Sequence, residues 1–557
     1  MNLSNRRKAD DFMATVEKFP TSAIRKSNPH FSRLKSTVET AFYSNNVTLV
    51  STMEDAYNRS LESPNTIVLD AEVKHAEELG LPAGAKQLLT QDGRVFGRTA
   101  KARRNYGDNP EEDEKLLGIV RDAIFQGSHE PFLRSSAYVG LAEDFMVKAH
   151  ITMPATQSNN LYSWLMNFQI TNPVYDELYA KSKKYPENDL YIFFYPEFKH
   201  PDYPMGLSYF DSDHNVVAIL GMNYFGEIKK GTLTLAWGTA ARNGYVACHG
   251  GLKIFRTESD AHVASFFGLS GSGKSTLTHA KHDGRYDIQV LHDDAFIVSI
   301  ADGSSIALEP SYFDKTNDYP AGHPEQDYFV TLQNVGVTLD ENGKKALVTE
   351  DIRNGNGRTV KSRYSTANRV DQITDPIDAI YWIMKDDSLP PIVKITDPLL
   401  ASAFGATLAT KRSTAENTTD DRDALVIEPY ANPFRVYPLV EDYEKFKALF
   451  EKGVECYIIN TGEFLGKKVT PRDTLGVIEG NVNRSAVFKP FGPLEHFEFV
   501  EIDGFDVPFD DDVYLDYLKG RMQGRLDFIA NFNAQHTQNL LPNEIIEAFQ
   551  KIVRTIN

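Results

Sequence analysis

The chain has 557 residues, of which 41% are hydrophobic and 24% charged, with 36 Gly, 27 Pro and only two cysteines, Cys248 and Cys456. That is ordinary globular composition, long enough for roughly three to four average domains or two large ones, and it excludes collagen-like, low-complexity and disulfide-stapled scaffolds. The net charge of −18 speaks against nucleic acid as a partner, yet leaves room for a local basic pocket that takes a small anion.

The N-terminal segment MNLSNRRKADDFMATVEKFP is charged and lacks the apolar core of a signal peptide, and residues 1–40 read as a helix or loose arm. No run of 18 apolar residues occurs, so no membrane span is expected. With two cysteines only, a soluble cytoplasmic protein is the expectation. Residues 47–150 mix short apolar runs with helical stretches, among them Asp113–Phe125. From 188 to 260 the pattern is strand-like: LYIFFY, NVVAILGMNYF, TLTLAWGTA and YVACHG, separated by turn signals such as Asp-Ser-Asp-His and Lys-Lys-Gly. VASFFGLS then runs into a Gly-rich loop and a helix. Further strands follow in IQVLHDDAFIVSI, DYFVTLQNVGVTL and AIYWIMK. The C-terminal part reads as a helix over Glu441–Glu451, a strand over Glu455–Asn460 and helices from Asp512 onward. This order predicts mixed α/β domains.

The sharpest local signal is Gly268-Leu269-Ser270-Gly271-Ser272-Gly273-Lys274-Ser275, followed by Thr276. It matches the phosphate-loop pattern G-x-x-x-x-G-K-[ST] in full, with an apolar strand before it and a helix opening after it. Glycines let the backbone turn its N–H groups around phosphate oxygens, Lys274 is placed for the β and γ phosphates, and Ser275 offers a hydroxyl to a divalent ion. Beyond it, Asp293-Asp294 follows the apolar strand IQVL, where a nucleotide-bound metal needs carboxylate. Taken singly, Lys229-Lys230 reads as a solvated hairpin tip and His249 as a strand histidine with a satisfied ring.

Their order changes that. Tyr224-Phe-Gly-Glu-Ile-Lys229-Lys230-Gly, Ala-Cys-His249-Gly, the phosphate loop and Asp293-Asp294 together resemble the ATP-type phosphoenolpyruvate carboxykinases. Gly97-Arg98-Thr-Ala-Lys101, Ala137-Tyr-Val-Gly140, Thr349-Glu-Asp-Ile-Arg353, Asn460-Thr-Gly and Gly466-Lys-Lys468-Val469-Thr-Pro-Arg-Asp-Thr474 are similar to further family segments, in the family's order. The resemblance implies a two-domain carboxykinase-like fold: a substrate-side domain over 1–244 and a phosphate-loop nucleotide-binding domain over 245–557, with the active site in the cleft between them. It implies Arg98, Tyr224, Lys230 and Arg353 as substrate contacts, and Lys229, Lys230, Lys274 and Arg353 as catalytic cations. Lys468, Val469 and Thr474 fall on the adenine side. Lys230, His249 and Asp294 would hold Mn²⁺, with Mg²⁺ arriving with ATP at Ser275. A lysine ligand must be a neutral amine, and the neighbouring Lys229 and the metal both favour that form.

The chemistry of the residues agrees. An enolate formed by loss of CO₂ needs a metal and fixed positive charge, and the planar fork of an arginine suits a substrate carboxylate. The reaction implied is ATP-dependent decarboxylation and phosphorylation of oxaloacetate to phosphoenolpyruvate, CO₂ and ADP, gluconeogenic or anaplerotic in direction. The alternative is a kinase of the same fold acting on another small molecule or a protein hydroxyl. No nucleic-acid or membrane partner is expected, and the oligomeric state stays open with a monomer favoured. The sequence departs from the family pattern in places. Asp293-Asp294 continues Ala-Phe-Ile, Leu308-Glu309-Pro-Ser-Tyr312-Phe-Asp-Lys315 lacks the family's paired glycines, Lys468 stands where an arginine is expected to stack on adenine, and the lid-like Ala409-Thr-Lys411-Arg-Ser-Thr-Ala-Glu416 lacks a glycine. These departures predict looser nucleotide handling and altered lid motion.

Overall fold

In a computed structural model the described residues are 31–91, 102–258, 260–269, 271–349, 357–411 and 425–556. Strand pairing divides the chain into two units: Met1–Asn243 with Leu308–Ala367, and Gly244–Ala307 with Asn368–Asn557. The first crossing lies between Asn243 and Gly244. The stretch 308–367 is a difference from a single linear division, and its cause is non-local. Tyr312–Lys315, Arg358–Lys361 and Phe329–Gln333 build a five-stranded sheet with Lys86–Thr90 and Ile67–Glu72, Thr331 lying parallel to Leu88.

The first unit also holds an eight-stranded sheet in the order Val47–Leu49, Phe132–Ala142, Phe145–Pro154, Leu190–Tyr195, Val216–Leu220, Leu207–Asp211 and Arg103–Asn105, with Gln169–Ile170 paired to Phe132–Ala142. The expected helix is present as Pro110–Gly127. Asn109 caps it by accepting from the N–H groups of Glu111 and Glu112, Pro110 opens it, and three acids in its first turn favour the positive end of its dipole. Its face of Leu116, Leu117, Val120 and Ala123 buries against Phe132, Phe193 and Tyr195 of the sheet.

One expected strand is a helix. TLTLAWGTA lies inside Phe225–Arg242, where sixteen of eighteen residues are buried. A helix buried on nearly all sides shows no amphipathic period, so its alternating Thr and Leu imitate a strand. Trp164 Nε1 donates to Thr232 Oγ1 at 3.0 Å, and Arg103 pairs with Glu227 at 3.0 Å, which satisfies part of its buried polarity.

The second unit is built on an eight-stranded sheet in the order Asp287–His292, Gly251–Arg256, Ala261–Phe267, Ala379–Met384, Glu455–Asn460, Ile392–Ile395, Phe497–Phe499 and Lys489–Pro490. Its central three, Ala261–Phe267, Ala379–Met384 and Glu455–Asn460, run parallel. Their carboxyl ends therefore open at one edge of the sheet, where open α/β sheets bind ligands. A four-stranded sheet of Tyr245–His249, Ala295–Ser299, Ser305–Ala307 and Gln372–Ile373 accompanies it. The predicted C-terminal elements appear as Leu439–Glu451, Glu455–Asn460, Asp512–Gln535 and Asn543–Thr555. Among the described residues no helix is long and apolar enough to cross a membrane.

Candidate active site

The phosphate loop leaves the end of Ala261–Phe267 and enters the helix Lys274–His279. Gly271 and Gly273 have φ of +77° and +95°, the left-handed region that other residues adopt only under strain. Ser272 N–H closes the turn on Leu269 O at 3.0 Å, and Leu269 is buried as its anchor. Gly268, Leu269, Gly271, Ser272, Gly273, Lys274, Ser275 and Thr276 thus form one continuous loop and first helical turn, with Lys274 largely buried and Ser275 and Thr276 exposed. Ser270 lies outside the described residues.

Two neighbours reach this loop from the other parallel strands. Thr461 Oγ1, just after Glu455–Asn460, donates to Ser272 O at 2.7 Å, and Lys385 Nζ, just after Ala379–Met384, donates to Gly271 O at 3.2 Å. Burial and then the Lys411 charge push the Lys385 ammonium down from its ordinary range. Sequence reading missed Lys385. The available signal was its place directly after an apolar run, where a parallel strand ends at the ligand edge.

Opposite the loop, the two strands Tyr245–His249 and Ala295–Ser299 bring His249 and Asp294 together. His249 Nε2 is 3.0 Å from Asp294 Oδ1, and Lys274 Nζ is 3.5 Å from the same oxygen. His249 Nδ1 lies 2.5 Å from the Ala431 carbonyl, which can only accept, so Nδ1 carries the proton. In a neutral ring the Nε2 lone pair then faces the Asp294 carboxylate. Two lone-pair donors aimed at one space, with the far ring nitrogen fixed by a backbone carbonyl, is the donor chemistry of a cation site. The residues therefore fit a divalent ion. Among the described residues no group of three or more His, Cys, Asp and Glu side chains is placed to hold a metal, so such a site needs a ligand of another type.

Asp293 behaves differently from Asp294. It is buried, and burial alone would raise its carboxyl. The hydrogen bond and charge of His279, 3.4 Å away, together with Lys274, hold it well below the ordinary carboxylate range instead. His292 Nδ1 accepts from the N–H groups of Asp294 and Ala295 at 3.0 and 3.2 Å, which fixes the turn that presents both acids.

The segment expected on the adenine side is a short hairpin, Glu463–Phe464 with Lys467–Lys468, followed by the helix Pro471–Val482. Thr470 and Asp473 cap that helix reciprocally. Lys468 is exposed, whereas Val469 and Thr474 are buried. Asn460 Nδ2 donates to the carbonyls of Asp386, Leu389 and Glu463, so the hairpin is tied to the strand ends that frame the loop.

In the first unit Tyr224 precedes the helix Phe225–Arg242, and its ring lies against Gly226 so closely that any Cβ there would run into it. Lys230 is half-buried on this helix, its Nζ 5.7 Å from the Trp237 ring centre. Lys229 is not at a solvated hairpin tip. It is helical and wholly buried, 2.9 Å from the equally buried Glu309, whose second oxygen accepts from Asn167 Nδ2 at 2.5 Å. The Lys-Lys-Gly turn signal misled because the partner carboxylate comes from a distant part of the chain. Arg98 and Arg353, the expected substrate clamps, lie outside the described residues.

A family model described as phosphoenolpyruvate carboxykinase matches residues 90–488, well over half of the chain. A phosphoenolpyruvate carboxykinase (ATP) from Aeropyrum pernix is 26% identical over 279 residues, which cover 46% of this chain and 54% of that protein. The chain thus spans about half the length of this curated relative.

Proposed function

The chain belongs to the phosphoenolpyruvate carboxykinase family in its ATP-type form, and on that premise we propose that it decarboxylates oxaloacetate and phosphorylates the resulting enolate with ATP, giving phosphoenolpyruvate, CO₂ and ADP. One observation carries the reading beyond the family match: the phosphate-loop lysine and a histidine nitrogen converge on a single carboxylate oxygen, Asp294 Oδ1. In this reading Lys274 and the first turn at Ser275 and Thr276 bind the β and γ phosphates, while the hairpin at Lys468 and the segment through Val469 and Thr474 take the base. His249 and Asp294, with Lys230 as the third ligand, would hold Mn²⁺, and Ser275 would meet Mg²⁺ carried by ATP. A bound divalent ion would stabilise the developing enolate charge and orient the phosphoryl group.

Each protein group has its own task. Ala431 keeps His249 Nδ1 protonated, so that Nε2 is the nitrogen that would ligate. Asp293, held ionised, orients the groups around its neighbour Asp294. Arg98 and Arg353 take the substrate carboxylates and Tyr224 lends its hydroxyl to the same end. The sealed pair Lys229–Glu309 leaves Lys229 a positioning role beside Lys230 rather than a clamp on substrate. The two unpaired cysteines, both buried, suit a cytoplasmic setting. The kinase alternative is not favoured, since nothing in the family match calls for a hydroxyl acceptor.

The test is a coupled assay with oxaloacetate, Mn²⁺ and either ATP or GTP. Formation of phosphoenolpyruvate with ATP is the expected result. ATP consumption that requires a hydroxyl acceptor, with oxaloacetate untouched, would replace this reading by the kinase.

A further inference from the structure

Behind the phosphate loop lies a second charged cluster that none of the proposed roles uses. Lys253 stands on the strand Gly251–Arg256 with no exposed surface. Its Nζ donates to Leu277 O at 2.6 Å and Ala280 O at 3.2 Å and lies 3.0 Å from His282 Nε2. Leu277 and Ala280 are at the far end of the short helix that begins with Lys274. An ammonium has three protons, and these three acceptors use them all. His282 Nε2 is then the unprotonated nitrogen, so Nδ1 carries the hydrogen that reaches Glu479 Oε1 at 2.9 Å. The second Glu479 oxygen accepts from Arg285. Glu479 belongs to the helix Pro471–Val482, the element that follows Lys468 and Val469 and carries Thr474.

We propose that Lys253 is a positioning residue for the nucleotide: through His282 and Glu479 it ties the end of the phosphate-loop helix to the adenine-side helix, so that the phosphate-binding and base-binding elements keep one fixed spacing. The inference rests on the nucleotide-site reading above and deepens it. Several features support it. Gly251, two residues before Lys253, lies so close to the phosphate-loop helix that a Cβ would run into Thr278, which leaves the strand no play against the helix. Phe255 and Phe266 wall the ammonium at 4.7 and 5.6 Å and keep water from replacing its acceptors. Burial pushes the Lys253 ammonium down to about 7, opposed by Glu479, and burial followed by the Lys253 charge pushes His282 down as well. A polar group buried at such cost is retained for hydrogen bonds that fix geometry an apolar side chain would leave loose. A nucleotide gripped at both ends gains from a fixed span, because binding at one end raises the effective concentration at the other.

The test compares a ligand that spans both ends with one that uses only the phosphate end. Kd for Mg–ATP and for Mg–tripolyphosphate is measured by calorimetry on wild type, Lys253→Met and the less buried Glu479→Gln, with folding checked by circular dichroism. ATP affinity is expected to fall about ten-fold in both variants while tripolyphosphate changes by less than about three-fold. Unchanged ATP affinity in the folded variants overturns the proposal. So does an equal loss for both ligands, which would mark a local distortion of the loop. Should Lys253→Met not fold, Glu479→Gln decides alone. Wild-type protein that binds neither ligand overturns the nucleotide reading itself, a failure visible before any variant is made.

Discussion

Two lysine–carboxylate pairs in this protein have the same chemistry and opposite surroundings. Lys229 and Glu309 meet at 2.9 Å with no exposed side-chain surface, and Asn167 completes the carboxylate. Lys274 and Asp294 stand 3.5 Å apart, remain 10% and 19% exposed, and share the carboxylate oxygen with His249. The first pair is closed: neither side chain reaches solvent, and removing either leaves the other charge buried in low dielectric. The second is open: Lys274 and His249 both reach one oxygen while the side chains keep some access to solvent, the arrangement the proposed reading assigns to phosphate and metal. Proximity of opposite charges alone does not mark a site. Convergence of several groups on one oxygen, with some access to solvent, is what separates the proposed site from the closed pair.

This contrast can be broken from either side. The largest effect is expected at the open pair. Lys274→Ala should lower phosphoryl transfer by about 1,000-fold or more while the thermal midpoint stays close to wild type. Steady-state assays alongside calorimetric melts check it, and a variant that loses stability instead would make Lys274 structural. At the closed pair the balance reverses. Lys229→Met should cost about 3–5 kcal/mol of stability, and the double variant Lys229→Met with Glu309→Leu should regain much of that loss. Denaturant titration of the three proteins reads the effect, and a single variant as stable as wild type would show the pair to be dispensable. His249→Ala comes next, with an expected loss of about 10–100-fold in Mn²⁺ affinity. Competitive metal titration measures this directly, without turnover. The smallest effect concerns Lys253, a third buried lysine whose direct acceptors include no carboxylate. Its ammonium is lowered to about 7 in the folded protein, so above that pH the unfolded chain binds the extra proton and stability rises with pH. Between pH 7 and 8 the wild type should gain about 1 kcal/mol over Lys253→Met, read from paired denaturant melts.

Much of the local structure around the open pair was legible in the sequence, because its parts sit in short segments with fixed chemistry. The phosphate loop needs glycines at given spacings, and Gly271 and Gly273 do adopt the backbone conformation that requires them. His249 and Asp294 each end or follow an apolar strand, and cross-strand pairing brings them together. The closed pair was not legible. Lys229 reads as exposed until Glu309, about 80 residues on, is known to lie beside it. The helix Phe225–Arg242 misreads for a related reason, since burial on nearly all sides erases the periodic pattern that identifies helices. The Lys253–His282–Glu479 line leaves no sequence signal either, because it joins a strand, a turn and a helix across 197 residues between His282 and Glu479 alone.

The return of 308–367 to the first unit has a consequence for synthesis. On the ribosome, Lys86–Thr90 emerges early with Ile67–Glu72 as its antiparallel partner, but its other edge waits for Phe329–Gln333, and the sheet is incomplete until Arg358–Lys361 has left the exit tunnel. Meanwhile the strands of Gly244–Ala307 emerge, and their own sheet still lacks Ala379–Met384 and Glu455–Asn460. The first unit can close only after the strands of Gly244–Ala307 have emerged, and an edge of those strands waits unpaired for partners made later. For most of translation an unpaired strand edge is exposed, the kind of surface that recruits holding chaperones or seeds aggregation. A premature stop between about residues 244 and 358 leaves not one intact half but two unfinished ones.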